Sequence, residues 1–395
     1  IDRPGVHCTN PALGMTLFLG GGTPVLATGM IVTAVTVQSA RNLRTRSRVI
    51  RTGLVIGLAE VACVFGITAL HWTEPDLMLV MHQAAACLLS GAAAALIALL
   101  ILPLFEYLFQ ITTDISLLEL SDLGHPLLQR LAIEAPGTYH HSLVVANLAQ
   151  AAADEIGANS LLARVGSYFH DVGKLTKPGF FAENLRLQRN PHDDLPPSMS
   201  ALVITAHVKE GLSLGILHKL PRIILQMVEE HHGTSLVTYF HHKARTQADT
   251  AEGEKPAGNN GASRVNEEDF RYGGPKPTTR ESAIICLADA VEAASRTIEK
   301  TTPTHIENLI NNIANSRVID GQLASSELTF AELSKIKRSF AFTLTSMLHG
   351  RVPYPKDEDR DKQSPKAAKG QQDTGRGTGA PADEARQPSA AGAGN

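Results

Sequence analysis

Residues 77–104 read LMLVMHQAAACLLSGAAAALIALLILPL and contain no Asp, Glu, Lys or Arg. A helix needs roughly 20 mostly apolar residues to cross a hydrocarbon core, and this run exceeds that length. Two further apolar blocks precede it. Residues 17–37 are interrupted by Gly20, Gly21, Gly22 and Pro24, and residues 52–70 carry one acid, Glu60. Residues 1–110 are therefore expected to form a membrane region with about three transmembrane helices. Charge sets their direction. The link ARNLRTRSRVIR carries Arg41, Arg44, Arg46, Arg48 and Arg51, whereas HWTEPD between the second and third blocks has no Lys or Arg. Short arginine-rich loops stay in the cytoplasm, so the chain is expected to re-enter the cytosol after Leu104. Glu60 and His82 fall within candidate spans and are read as facing bundle partners.

The remainder is expected to be all-α, a cytosolic domain over residues 111–355. HSLVVANLAQAAADEIGA spaces its apolar residues by three and four and closes at Gly157. LLARVGSYFHDVGK is read as a helix ending near Gly173. SALVITAHVKEGLSLGILHKL is read as a helix with a break near Gly211, and PRIILQMVEEHHG as one opening on Pro221 and stopping at Gly233. Residues 246–268 are expected to be a disordered insert. Residues 356–395, rich in Pro, Gly, Ala and charge, are expected to be a disordered tail. The formal net charge of −3 gives no basic field for a DNA or RNA polymer. Cys8, Cys63, Cys87 and Cys286 form no CxxC pair, which argues against a thiolate zinc site or a disulfide framework.

The chemistry lies in the histidines. His170 and Asp171 are neighbours in GSYFHDVGK. Adjacent helical residues point about 100° apart, so the pair addresses a single target only if the carboxylate bridges two cations and the histidine binds one. Such a site needs more imidazoles and another carboxylate. Candidates follow along the chain: His140 and His141, His207, His231 and His232, then Asp289 in the apolar segment IICLADAVEAA. A buried unpaired carboxylate is costly, and a metal removes that cost. The HH of YFHHKA is read as a surface pair.

The order H…HD…D resembles the HD superfamily of metal-dependent phosphohydrolases. With LELSDLGHPLLQRLAIEAPGTYHHSLVVANLA, HDVGK, NPHDDLPPSMSAL, HHGTSLVTYF and FRYGGPKP, the chain resembles the 7TM-HD receptor family, whose characterised members are PgpH-type cyclic di-AMP phosphodiesterases of the bacterial cell (inner) membrane. That family carries seven spans and an extracellular sensor region. Three apolar blocks and a start at Ile1 lead to the expectation that an upstream part precedes this sequence. The resemblance implies a helical HD-domain bundle and two divalent metal ions. His141, His170, Asp171 and Asp289 would hold one; Asp171, His207, His231 and His232 would hold the other. His140 is left out. Imidazole and carboxylate ligands without thiolates suit Fe or Mn, the metals the family implies. Two metals about 3.5–4 Å apart suit phosphodiester hydrolysis, and Lys174, one turn past Asp171, is expected to face a phosphate. Tyr239 or Phe240 could stack on a base, or either could pack in the core. The expected partners are a cyclic dinucleotide substrate and the lipid bilayer, with homo-oligomerisation left open. Two other readings compete: another HD hydrolase, acting on cyclic di-GMP, a dNTP or a ppGpp-like nucleotide, and a non-catalytic nucleotide-binding receptor. The cyclic di-GMP branch expects GYP where HHGTSLVTYF stands, and the receptor would be favoured by a missing ligand, of which there is none.

Overall fold

The computed structural model describes residues 23–41, 43, 45–70, 76–185, 189–253, 265–297 and 302–349. Among the described residues three apolar helices come first: α1 (Thr23–Ala40), α2 (Arg46–Leu70) and α3 (Leu77–Phe109). Helices α2 and α3 are long and apolar enough to cross a membrane, and the described apolar part of α1 is shorter. The start of the first apolar block, residues 17–22, lies outside the described residues. The second block extends back through the arginines to Arg46. Small residues bring α2 and α3 together. A side chain at Gly91 would collide with the Gly53 carbonyl, and one at Gly57 would reach the Cys87 carbonyl. Such close backbone approach is the usual device for packing helices in lipid. Ser90 Oγ donates to Glu60 Oε2 across the pair at 2.5 Å, while His82 Nδ1 donates to Met78 O of its own helix at 2.7 Å.

The junction to the second half is short and tied. Glu106, near the end of α3, accepts from Thr113 N at 3.0 Å and from Ser116 Oγ at 2.9 Å. Arg46 pairs with Glu119 at 2.5 Å. These contacts fix α4 (Asp114–Leu120) against the ends of α2 and α3.

Among the described residues nine further α-helices follow: α5 (Pro126–Glu134), α6 (Pro136–Ile156), α7 (Ser160–Phe169), α8 (Pro197–Leu217), α9 (Arg222–Glu230), α10 (Thr238–Gly253), α11 (Arg280–Ser295), α12 (Pro303–Ile319) and α13 (Phe330–His349). The fold is all-α; among the described residues the sole β feature is an isolated bridge between Leu236 and Arg271. Two apolar cores flank α6. Leu148 and Ala149 face Ile284, Ile285, Ile306 and Phe340, whereas Ala146 belongs with Leu128, Leu131, Phe169 and Ile224. Burial of such side chains contributes about 25 cal/mol per Å² of apolar surface removed from water. Helix α8 also meets the length and composition of a membrane span, but it packs on α9, α10 and the turn after α7.

Three boundaries differ from the sequence expectation. Helix α7 ends at Phe169, with His170 as its cap, rather than near Gly173; a 3₁₀ turn, Val172–Thr176, takes over. Helix α8 runs unbroken through Gly211. The two glycines explain each other. A side chain at Gly173 would collide with the His207 carbonyl and with Gly211 N, and one at Gly211 would press on Gly173 and Val228. Gly211 therefore marks a close crossing, not a break. Both ends of the 246–268 segment are also helical rather than disordered. The Ala, Arg and Gln of residues 244–248 favour helix, so α10 continues to Gly253, and Asn266 caps a 3₁₀ turn, Glu267–Phe270. Residues 254–264 and the tail 356–395 lie outside the described residues.

Candidate metal centre

Five segments meet between the two cores. Helix α6 supplies His141, the end of α7 supplies His170 and Asp171, α8 supplies His207, the end of α9 supplies His231 and His232, and α11 supplies Asp289. All seven predicted ligands converge. They form two sets whose ligand atoms lie within 4.8 Å of one another: His141, His170, Asp171 and Asp289; and Asp171, His207, His231 and His232. Asp171 is common to both. Its Oδ2 lies 3.5 Å from His141 Nε2 and 3.3 Å from His170 Nε2. Its Oδ1 lies 3.4 Å from His207 Nε2 and 3.6 Å from His231 Nε2. Asp289 faces His141 Nε2 at 3.0 Å and His232 Nδ1 at 3.4 Å. His140 is exposed, as is His242 of the YFHHKA pair, while His241 is half-buried against Phe270.

The hydrogen bonds of the imidazoles fix their tautomers. Nδ1 of His170 donates to Ser167 O at 2.7 Å, that of His207 to Ile204 O at 2.6 Å, and that of His231 to Val228 O at 2.7 Å. His141 Nδ1 is paired with the Glu292 carboxylate. A carbonyl can only accept, so in the neutral rings Nε2 carries a lone pair. His207 Nε2 and His231 Nε2 lie 3.2 Å apart. Two lone pairs so close repel unless a cation or a proton lies between them. His170 Nε2 and both Asp171 oxygens are buried without a hydrogen-bond partner, Lys174 meeting Asp171 as an ion pair rather than in hydrogen-bond geometry. Buried polar atoms are normally satisfied. The donor set, imidazole nitrogen and carboxylate oxygen with the second ring nitrogen anchored, fits divalent cations.

The electrostatics separate the two sets. Burial opposes charge on His170, but the Asp171 and Asp289 carboxylates overcome it and raise the imidazole to about 10. His141 is likewise raised, burial being outweighed by Asp289 and Glu292. Burial pushes His207 down to about 3 against the pull of Asp171. Burial, aided by His231, holds His232 well below its ordinary value. Both aspartates stay well below the carboxylate range despite burial, Asp171 through Lys174 and His170, Asp289 through His141 and His170.

Lys174, expected to face a phosphate, lies 2.8 Å from Asp171 Oδ2 and 2.8 Å from Glu183 Oε1. Phe240 is core, 7% exposed beside Ala201 and Phe270, whereas Tyr239 is 68% exposed and lines the site's cleft. Glu292, Glu183, Tyr272, Arg296 and Arg317 escaped the sequence reading. Glu292 had one signal: it follows Asp289 by three residues and so shares its helix face. Its carboxylate is held in turn by Arg296 at 2.8 Å. Tyr272 stacks on His232, with ring centres 4.1 Å apart. The cleft over the cluster measures about 700 Å³.

Comparison with known proteins agrees with this architecture. Residues 7–113 match the family described as 7TM receptor with intracellular HD hydrolase, and residues 138–294 match the HD domain. The crystal structure of the HD domain of Listeria monocytogenes phosphodiesterase PgpH superimposes with a TM-score of 0.52 at 42% identity, covering 57% of this chain and 100% of that one. The chain belongs to the 7TM-HD receptor family. It is a membrane protein whose second half is an HD domain. A second Listeria structure, of the same domain in complex with cyclic di-AMP, matches equally at 42% identity and covers 57% of this chain and 98% of its own. Cyclic-di-AMP phosphodiesterase PgpH of Bacillus subtilis is 39% identical over 315 residues, 78% of this chain and 42% of the relative. Its Listeria monocytogenes counterpart is 37% identical over 327 residues, 82% of this chain and 44% of the relative. The chain thus spans less than half the length of these curated relatives.

Proposed function

We propose that the chain is a membrane-anchored, metal-dependent phosphodiesterase that hydrolyses cyclic di-AMP to a linear dinucleotide. The reading rests on the Asp171 carboxylate, each of whose oxygens faces a separate pair of histidines. The relatives named for cyclic di-AMP hydrolysis, and the related domain bound to that nucleotide, support the substrate.

In this reading His141, His170, Asp171 and Asp289 hold one divalent cation, and Asp171, His207, His231 and His232 hold the other, with Fe or Mn favoured by an N/O donor set. Bound there, the pair would supply an activated water and cover charge on the phosphoryl oxygens. The protein's part is positioning. Backbone carbonyls and Glu292 keep the imidazole lone pairs aimed at Asp171. Lys174 donates to one Glu183 oxygen and sits as an ion pair beside one Asp171 oxygen, and an ammonium has three donors, which leaves at least one for a phosphate. The arginine-rich link at 41–51 supports a cytoplasmic catalytic domain at a bacterial inner membrane.

The test uses the whole chain in detergent, loaded with Mn or Fe and offered cyclic di-AMP and cyclic di-GMP side by side. Chromatography should show linear di-adenylate from the first, and Asp171→Ala should abolish it. Cleavage of cyclic di-GMP alone would overturn the substrate. Unchanged turnover in the variant would overturn the site.

A further inference from the structure

The metal cluster accounts for one phosphodiester, but a cyclic dinucleotide carries two. Beside the cleft of about 700 Å³ lies a second cavity of about 740 Å³. The two share Leu236, Thr238, Ala290, Ala294 and Arg317 as lining, so they adjoin along one wall. Ligand pockets commonly span roughly 300–1,000 Å³, so each has room for a nucleoside.

Four lysines and arginines line the two cavities: Lys174, Arg271, Arg296 and Arg317. Three are neutralised from within. Lys174 pairs with Asp171 and Glu183, Arg296 with Glu292, and Arg271 with Glu267 and Asp320. Arg317, half-buried on α12, is in no ion pair among the described residues; the carboxylate that feels its charge, Asp320, is already held by Arg271. Its charge is felt at Tyr272, whose ring stacks on His232. A half-buried guanidinium with no ion pair of its own is suited to an anion arriving from outside, and its planar fork matches a phosphate.

We propose that Arg317 binds the second phosphodiester of the cyclic dinucleotide, the ligand straddling the shared wall with one nucleotide in each cavity while its first phosphodiester lies at the metal cluster. This rests on the cyclic di-AMP reading above. A nucleotide with one phosphodiester has no use for Arg317, so the residue selects for two-phosphate ligands.

The experiment compares the whole Mn-loaded chain with Arg317→Gln and Arg317→Lys, on cyclic di-AMP and on bis(4-nitrophenyl) phosphate, which has one phosphodiester. A charge-assisted contact of this kind is worth roughly 10- to 100-fold in binding. Arg317→Gln should raise KM for cyclic di-AMP by about that factor, with a much smaller change in kcat and metal content preserved. Arg317→Lys should fall between the two. Equilibrium dialysis with the bis-phosphorothioate analogue of cyclic di-AMP should give the same ratio. Equal losses on both substrates, or none on cyclic di-AMP, would overturn the proposal while leaving the enzyme reading standing. An unsubstituted chain that neither binds nor cleaves cyclic di-AMP would remove the reading itself.

Discussion

Glu292 makes a quantitative case for the layer behind the ligands. Its carboxylate accepts from His141 Nδ1 and is itself held by Arg296, whose Nε lies 2.9 and 3.1 Å from the two oxygens. Two variants grade the loss. Glu292→Gln keeps an acceptor for Nδ1 but removes its charge. Hydrogen bonds to charged groups are worth about 1.5–3 kcal/mol and neutral ones about 0.5–1.5, so the difference of roughly 1–1.5 kcal/mol is about a tenfold loss of metal affinity. Glu292→Ala frees the His141 ring to turn and strands both Nδ1 and Arg296, for which up to about 100-fold is the usual range of such outer partners. The loss should be asymmetric. His141 belongs with His170, Asp171 and Asp289, so that cation should weaken while the one at His207, His231 and His232 holds. The assay is competition against a fluorescent chelator, read as two binding steps on the detergent-solubilised chain. Two unchanged steps in Glu292→Ala, or two steps weakened equally, would refute the assignment of Glu292 to His141.

Two further outcomes follow from the geometry. Gly173→Ala places a Cβ against the His207 carbonyl and Gly211 N; overpacking of this kind costs about 1–3 kcal/mol, so the thermal midpoint should drop and metal affinity with it, and an unaltered melt would contradict the close crossing. Cation binding should release protons at pH 7.5, because His170 is raised to about 10 and His141 is also raised, whereas His207, near 3, is already neutral. Affinity should therefore climb about tenfold per pH unit for each proton expelled as pH rises toward 10, and calorimetry in buffers of different ionisation enthalpy that detects no proton release would refute it.

The membrane helices were legible because their signal is local: residues 77–104 need no partner to declare themselves. The seven side chains that converge were legible in identity for a different reason. A carboxylate on an apolar helix face, such as Asp289, stands out without knowledge of its neighbours. Geometry was not. In HDVGK the glycine suggested where the helix stops, yet the helix stops at Phe169 because Gly173 is spent on the crossing with α8. That early stop also answers the problem of two adjacent residues serving one cluster. Asp171, at φ −107° and ψ 14°, has left the helix, so the 100° rule between neighbours no longer governs it. The outer layer was invisible for a third reason. Glu292, Glu183 and Arg317 are ordinary charged residues on helices or turns until tertiary packing decides which of them is paired.

The ends of the helices do chemical work that their sequences conceal. The last carbonyls of an α-helix have no intrahelical partner. His170 caps α7 and His231 caps α9, and each donates Nδ1–H to the carbonyl three residues back, Ser167 O and Val228 O. One contact thus satisfies an orphan of the helix end and leaves Nε2 as the free lone pair. A histidine at a helix C-terminus acquires a ligand's tautomer from its own helix. His207 obtains the same from Ile204 O within α8. His141 cannot, because it takes its Nδ1 partner from α11. The set containing His141 therefore depends on α6 and α11 staying in register, and disturbance of that pair should empty it before the other.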